Sequence, residues 1–135
     1  MSDKTILVIG TYDTKDDELG FLANMISEQG GQVVTMDVSV LGDPSKPCDF
    51  AKHDVASEGG SSIQAAIDSG DENKAMQIMA KGASLLAARL HREGRFDGMI
   101  VLGGTMGTDL ALDVASVLPL GVPKYIVSTI SFSPL

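Results

Sequence analysis

A chain of 135 residues, 44% hydrophobic and 21% charged, is long and apolar enough for one folded domain and too apolar for a disordered segment. Its formal net charge of −8, from 18 acids against 10 bases, argues against a broad nucleic-acid or membrane surface. One cysteine, Cys48, leaves no internal disulfide framework and no cysteine-only metal cluster.

The start "MSDKTILVIG" is too acidic, and its apolar part too short, for a signal peptide, and no apolar run approaches the ~20 residues of a membrane span. The expected location is the cytoplasm. "TILVI" (5–9) is a continuous β-branched run, predicted as a strand buried on both faces. "TYDTKDDELGFLANMISEQGG" follows, with Leu19, Leu22, Met25 and Ile26 on one helical face. Thr14 is the expected N-cap, with Asp17 three residues later, and Gly30 and Gly31 stop the helix. "QVVTMDV" (32–38) is the second strand. Residues 39–60 hold two Pro and three Gly and show no period, so they read as a long surface loop. "SSIQAAIDSG" (61–70) is a short helix. Residues 71–95 form the longest helix, with Met76, Met79, Ala83, Leu86, Ala87 and Leu90 as its apolar stripe and Gly94 at its end. "FDGMIVLGG" (96–104) is the third strand. Residues 106–118 form another helix, with Leu110, Val114, Val117 and Leu118 facing inward, and "PKYIVSTI" (123–130) is the fourth strand.

Strands that alternate with helices imply right-handed crossovers. The expected fold is a three-layer α/β/α sandwich, Rossmann-like or flavodoxin-like. Its sheet is mainly parallel, in strand order 2-1-3-4. The chain reads as one domain over 1–135, or part of one, because "STISFSPL" leaves the last strand without a covering helix. That uncovered edge could pair with a second copy of the chain.

In an open parallel sheet, ligands bind beyond the carboxyl ends of the strands, where the order reverses. Between strands one and three, that point brings together "GTYDTK" (10–15) and "GGTMGT" (103–108). Both combine glycine with threonine hydroxyls, and both lead into a helix. Exposed N–H groups and the positive end of a helix dipole suit phosphate oxygens. Glycine there also serves as a tight turn, so the residues alone leave both readings open. Neither loop is G-x-G-x-x-G or a P-loop. Lys15 could reach a phosphate or pair with Asp16 or Asp17. A divalent ion held by Asp13 or Asp17 would reconcile these acids with a phosphate. Asp37, at the end of strand two, stands where a carboxylate can accept from a ribose hydroxyl. No nucleophile with a base, no metal-ligand spacing of His53 or His91, and no catalytic setting for Cys48 is visible. Whether the protein is an enzyme stays undecided at this level.

The segments "ILVIGTYDTKDDELGFL", "VVTMDVSVLGDP", "IVLGGTMGTDLA" and "KYIVSTISFSPL" together resemble the Tm-one-like ATP-binding domain family, across essentially the whole chain. Family members are considerably longer, and the chain is similar to their N-terminal part. The resemblance implies a nucleotide, ATP, at Gly10, Thr11, Asp13, Thr14, Lys15, Gly103, Gly104, Thr105, Gly107 and Thr108, and Mg²⁺ is the divalent ion expected beside its phosphates. Asp37 rests on its strand-end position alone. Two alternatives stand beside this reading. One is part of an enzyme acting on a phosphorylated or carboxylated metabolite. The other is a non-catalytic interaction or oligomerisation module.

Overall fold

The computed structural model describes residues 4–129, without the side chains of Thr105 and Met106. Ile130 and the rest of the "STISFSPL" edge lie outside the described residues. Four parallel strands form one sheet: β1 (Thr5–Gly10), β2 (Gln32–Asp37), β3 (Gly98–Gly103) and β4 (Lys124–Ser128), in the order β2-β1-β3-β4. The helices are α1 (Asp16–Glu28), α2 (Lys52–Glu58), α3 (Ile63–Asp68), α4 (Glu72–Arg92) and α5 (Thr105–Val117).

The alternation of side chains along the strands divides the core. Leu7, Ile9, Met36, Met99 and Val101 pack with α2, α4 and α5, including Met79, Leu86, Leu90, Leu110 and Val114. Val8 and Leu102 point the other way, to Leu19 of α1 and Tyr12. Helices on both faces make the expected three layers. α1 contributes little else. Leu19 is its one fully buried residue, whereas Met25 of the predicted inward face is 40% exposed. On α5, Ala111 takes the buried place expected of Val117, which is 46% exposed.

The 39–60 segment is not all loop. α2 occupies Lys52–Glu58, and Phe50 pairs with Met36 beside β2 through Asp37 N–H to the Phe50 carbonyl at 3.0 Å. The cap residue is Ala51, so the helix lacks a recognisable start; Asp54 instead reaches back to accept from Ala51 N–H at 2.9 Å. Thr14 is not the cap of α1 either. The cap position is Lys15 and carries no side-chain bond, while the Thr14 hydroxyl pairs with that of Thr11 at 3.2 Å.

α2 is fastened to α4 at its last residue. Arg89 Nε and Nη2 donate to Glu58 Oε2 and Oε1 at 2.8 and 3.0 Å. This bonding, opposed by partial burial, holds the Glu58 carboxyl below its usual value of 4.5. A carboxylate with a lowered folded-state pKa adds stability above its unfolded value and loses it as pH falls through the folded one. Glu58→Gln should therefore lower the urea midpoint at neutral pH, and the gap from the parent should close as pH falls through and below 4.5. A gap independent of pH would mean that the pair acts through packing alone.

Candidate functional site

Gly10 stands opposite Leu102 in the β1–β3 register, so the loops 11–15 and 104–108 leave adjacent strands at the same level. The two predicted loops are thus brought together at the carboxyl end of the sheet. Their chemistry differs.

The β3–α5 loop is bare. Gly104 is the cap position of α5, no side chain caps the helix, and its first turn carries no acid. Among the described residues no side chain accepts from the amides of this first turn, which stand at the positive end of the helix. The glycines here have separate duties. A Cβ on Gly103 would lie 2.7 Å from Gly107 Cα, so Gly103 lets the strand pass closely under its own helix. A Cβ on Gly107 meets nothing within 4 Å, and one on Gly104 meets only Thr129 Oγ1 at 3.5 Å. Those two leave open space beside the amides. The Thr108 hydroxyl is engaged: it donates to the Gly104 carbonyl at 2.6 Å and so accepts from Ser128 Oγ at 2.7 Å, tying α5 to β4.

The β1–α1 loop is acidic and latched to the segment after β2. Asp13 Oδ2 accepts from Gly42 N–H at 3.2 Å. Asp16 Oδ2 accepts from the N–H and hydroxyl of Ser45. Lys52, 7% exposed, reaches under this segment and donates to the Val40 and Gly42 carbonyls at 3.3 and 2.7 Å, with Asp43 at 3.1 Å. Lys15 forms no ion pair with Asp16 or Asp17, and its ammonium has no partner among the described residues. Asp37 is 1% exposed, and its Oδ1 accepts from Tyr12 N–H at 3.2 Å and Ser39 N–H at 2.9 Å. It fastens the β1–α1 loop to the segment after β2 rather than facing solvent.

A cleft of 550 Å³ opens beside this latch, between Thr11, Asp13 and Thr14 on one side and the α3–α4 corner on the other. Val38, Ser39 and Val40 form its floor, Leu41 stands at its mouth, and Ile67, Asp71, Glu72 and Met76 form its far wall. The far wall was not legible in the sequence, because those residues meet the loops only through the tertiary fold. Burial, with the Asp37 charge second, pushes the Cys48 thiol up to about 11, so it is no thiolate nucleophile at neutral pH. Burial likewise holds the Tyr12 phenol above its ordinary value. The described residues include no group of three His, Cys, Asp or Glu able to hold a metal ion by themselves, and no helix long and apolar enough to cross a membrane.

The N-terminal domain of an uncharacterised protein family, UPF0261, matches residues 4–134. The chain belongs to this family. A UPF0261 protein of Brucella suis is 58% identical over 130 residues, covering 96% of this chain and 31% of that protein. A UPF0261 protein of Clostridium tetani is 37% identical over 129 residues, covering 96% of this chain and 32% of its own length. The tomato ToMV resistance protein Tm-1(GCR237) is 32% identical over 143 residues, covering 93% of this chain and 19% of that protein. The chain thus spans about a third of the bacterial relatives it matches and about a fifth of the tomato one.

Proposed function

We propose that this UPF0261 domain binds ATP or a related nucleotide, with the phosphates at the N-terminus of α5. One observation carries the reading. The first turn of α5 has no side-chain cap and no acid, and it adjoins two glycines with open space beside them. Such a turn offers oriented amide donors and a favourable dipole to phosphate oxygens. Lys15 on the neighbouring loop, without an ion-pair partner among the described residues, adds a positive charge. The backbone of Thr105 belongs to the same turn. Gly10 supports the site from behind: a Cβ there would fall 2.6 Å from Leu19 Cδ1, so it lets α1 sit close to β1. Magnesium would enter with the phosphates, because the described residues offer no cluster to hold it alone. The acids Asp13 and Asp16 already brace the 42–45 segment.

Thermal unfolding with Mg-ATP tests this. At a ligand concentration of 100 Kd the stabilisation is about 2.7 kcal/mol, a rise of several degrees in Tm. Gly104→Val should abolish the rise, since its branched side chain would occupy the space the phosphate needs. The ligand-free Tm should change little, because the position has room. A full shift in a folded Gly104→Val variant would remove α5 from the site. A shift with sugar phosphates but none with Mg-ATP would move the reading to a phosphorylated metabolite.

A further inference from the structure

Among the described residues, two buried side-chain oxygens have no hydrogen-bond partner, Asp13 Oδ1 and Ser39 Oγ, and both residues line the 550 Å³ cleft. Ser39 is 3% exposed. A buried polar atom without a partner costs folding free energy, and native structures seldom carry one without a use. Here the atoms are also held in place. Asp13 is fixed through its other oxygen by Gly42 N–H, and Ser39 through its own N–H by Asp37.

The lining selects among ligands. It includes three carboxylates, Asp13, Asp71 and Glu72, and no Lys, Arg or His. Asp71 is already occupied as the cap of α4, accepting from Asn73 N–H at 2.8 Å. A phosphate brought into this lining would face like charge with no cation to offset it. Apart from Thr11, Thr14, Ser39 and Gly70 the remaining lining is apolar, and two of its residues are exposed at the mouth, Leu41 at 82% and Ile67 at 43%. An uncharged group with a flat apolar body and hydroxyl donors satisfies both features.

We propose that the cleft holds the nucleoside end of the nucleotide and excludes its phosphates. The ribose hydroxyls donate to Asp13 Oδ1 and exchange a hydrogen bond with Ser39 Oγ. The base lies against Leu41, Ile67 and Met76. The ligand then crosses the β1–α1 loop at Thr11 and Thr14 to reach α5. This rests on the nucleotide reading and assigns the carboxylate role at the ribose to Asp13, because Asp37 is spent on backbone amides.

The test is calorimetric titration of the protein and two variants with adenosine, inorganic pyrophosphate and Mg-ATP. Asp13→Asn keeps an oxygen for Gly42 N–H and turns the unpartnered acceptor into a donor. Ser39→Ala removes the unpartnered hydroxyl. Each should weaken adenosine and Mg-ATP tenfold or more and leave pyrophosphate no weaker. Neither should lower the ligand-free Tm, since neither atom has a partner to lose. Absence of adenosine binding to the parent protein overturns the proposal, as does a variant that weakens pyrophosphate as much as adenosine or that unfolds earlier without ligand. If adenosine binds and neither pyrophosphate nor Mg-ATP does, the cleft stands and the phosphate site on α5 falls. Pyrophosphate binding without adenosine binding gives the reverse.

Discussion

Replacing Gly82 with alanine should destabilise the protein by about 2 kcal/mol or more, against the usual sign for this exchange in a helix. Inside a helix, glycine to alanine ordinarily gains about 1 kcal/mol from propensity. Gly82 is buried in α4 where α2 crosses it, and a Cβ there would stand 1.9 Å from the Val55 carbonyl oxygen and 2.8 Å from its carbon. The obstacle is backbone, so no rotamer relieves it. Gly59 faces the same crossing, where its own Cβ would come within 3.0 Å of Gly82 N. Either α2 lifts from α4 or the two helices part. Overpacking of this kind costs about 1–3 kcal/mol, and a backbone contact this short belongs at or above the top of that range. α2 has only seven residues and depends on docking for its helical state. Lifting it also moves Lys52, which holds the floor of the cleft. Urea unfolding reads the effect. An unchanged or more stable variant would show that the α2–α4 crossing is not as close as described.

Leu19→Ala should cost about 3 kcal/mol, the usual toll of a buried leucine together with the cavity it leaves. Leu19 is fully buried and α1 has no other fully buried residue, so the helix has little else to hold it to the sheet. Its side chain occupies the space a Cβ on Gly10 would need, at 2.6 Å from Cδ1 and 2.8 Å from Cδ2. The two positions should therefore couple. Gly10→Ala alone crowds Leu19. In the double variant the added methyl partly refills the space that Leu19→Ala empties, and the pair should be more stable than the sum of the singles by about 1 kcal/mol or more. Additivity within error would mean that Gly10 and Leu19 do not share that space.

The strands were legible because each is a short, largely apolar run, with Gly10 closing β1, Gly31 before β2 and Gly103 and Gly104 closing β3, and their alternation with helices implied a parallel sheet. α4 was legible for a similar reason, with a long apolar stripe and a glycine stop. α2 was not. It has alanine where a cap is expected and seven residues, too few for a period to show. Leu19, Leu22, Met25 and Ile26 share a helical face in sequence, yet α1 buries only Leu19 fully, because periodicity says which face is apolar and not how much sheet lies beneath it. The two glycine–threonine loops were foreseen as neighbours, and they are. Their division of labour was not foreseen. Gly103 is needed for close packing with Gly107, Thr108 is bonded to Ser128, and Asp37 is enclosed by backbone donors. The cleft draws on residues near 11, 39 and 70, which only the folded chain brings together.

The proposed nucleotide site has phosphate received by the backbone amides at the first turn of α5. Titrating the ¹⁵N-labelled protein with Mg-ATP and following each amide resonance tests it most directly. The amides of residues 104–108 should shift most and saturate together, with those of 39–41 following the same curve. Unmoved amides across 104–108 while others saturate, or no saturable shift anywhere, would contradict it.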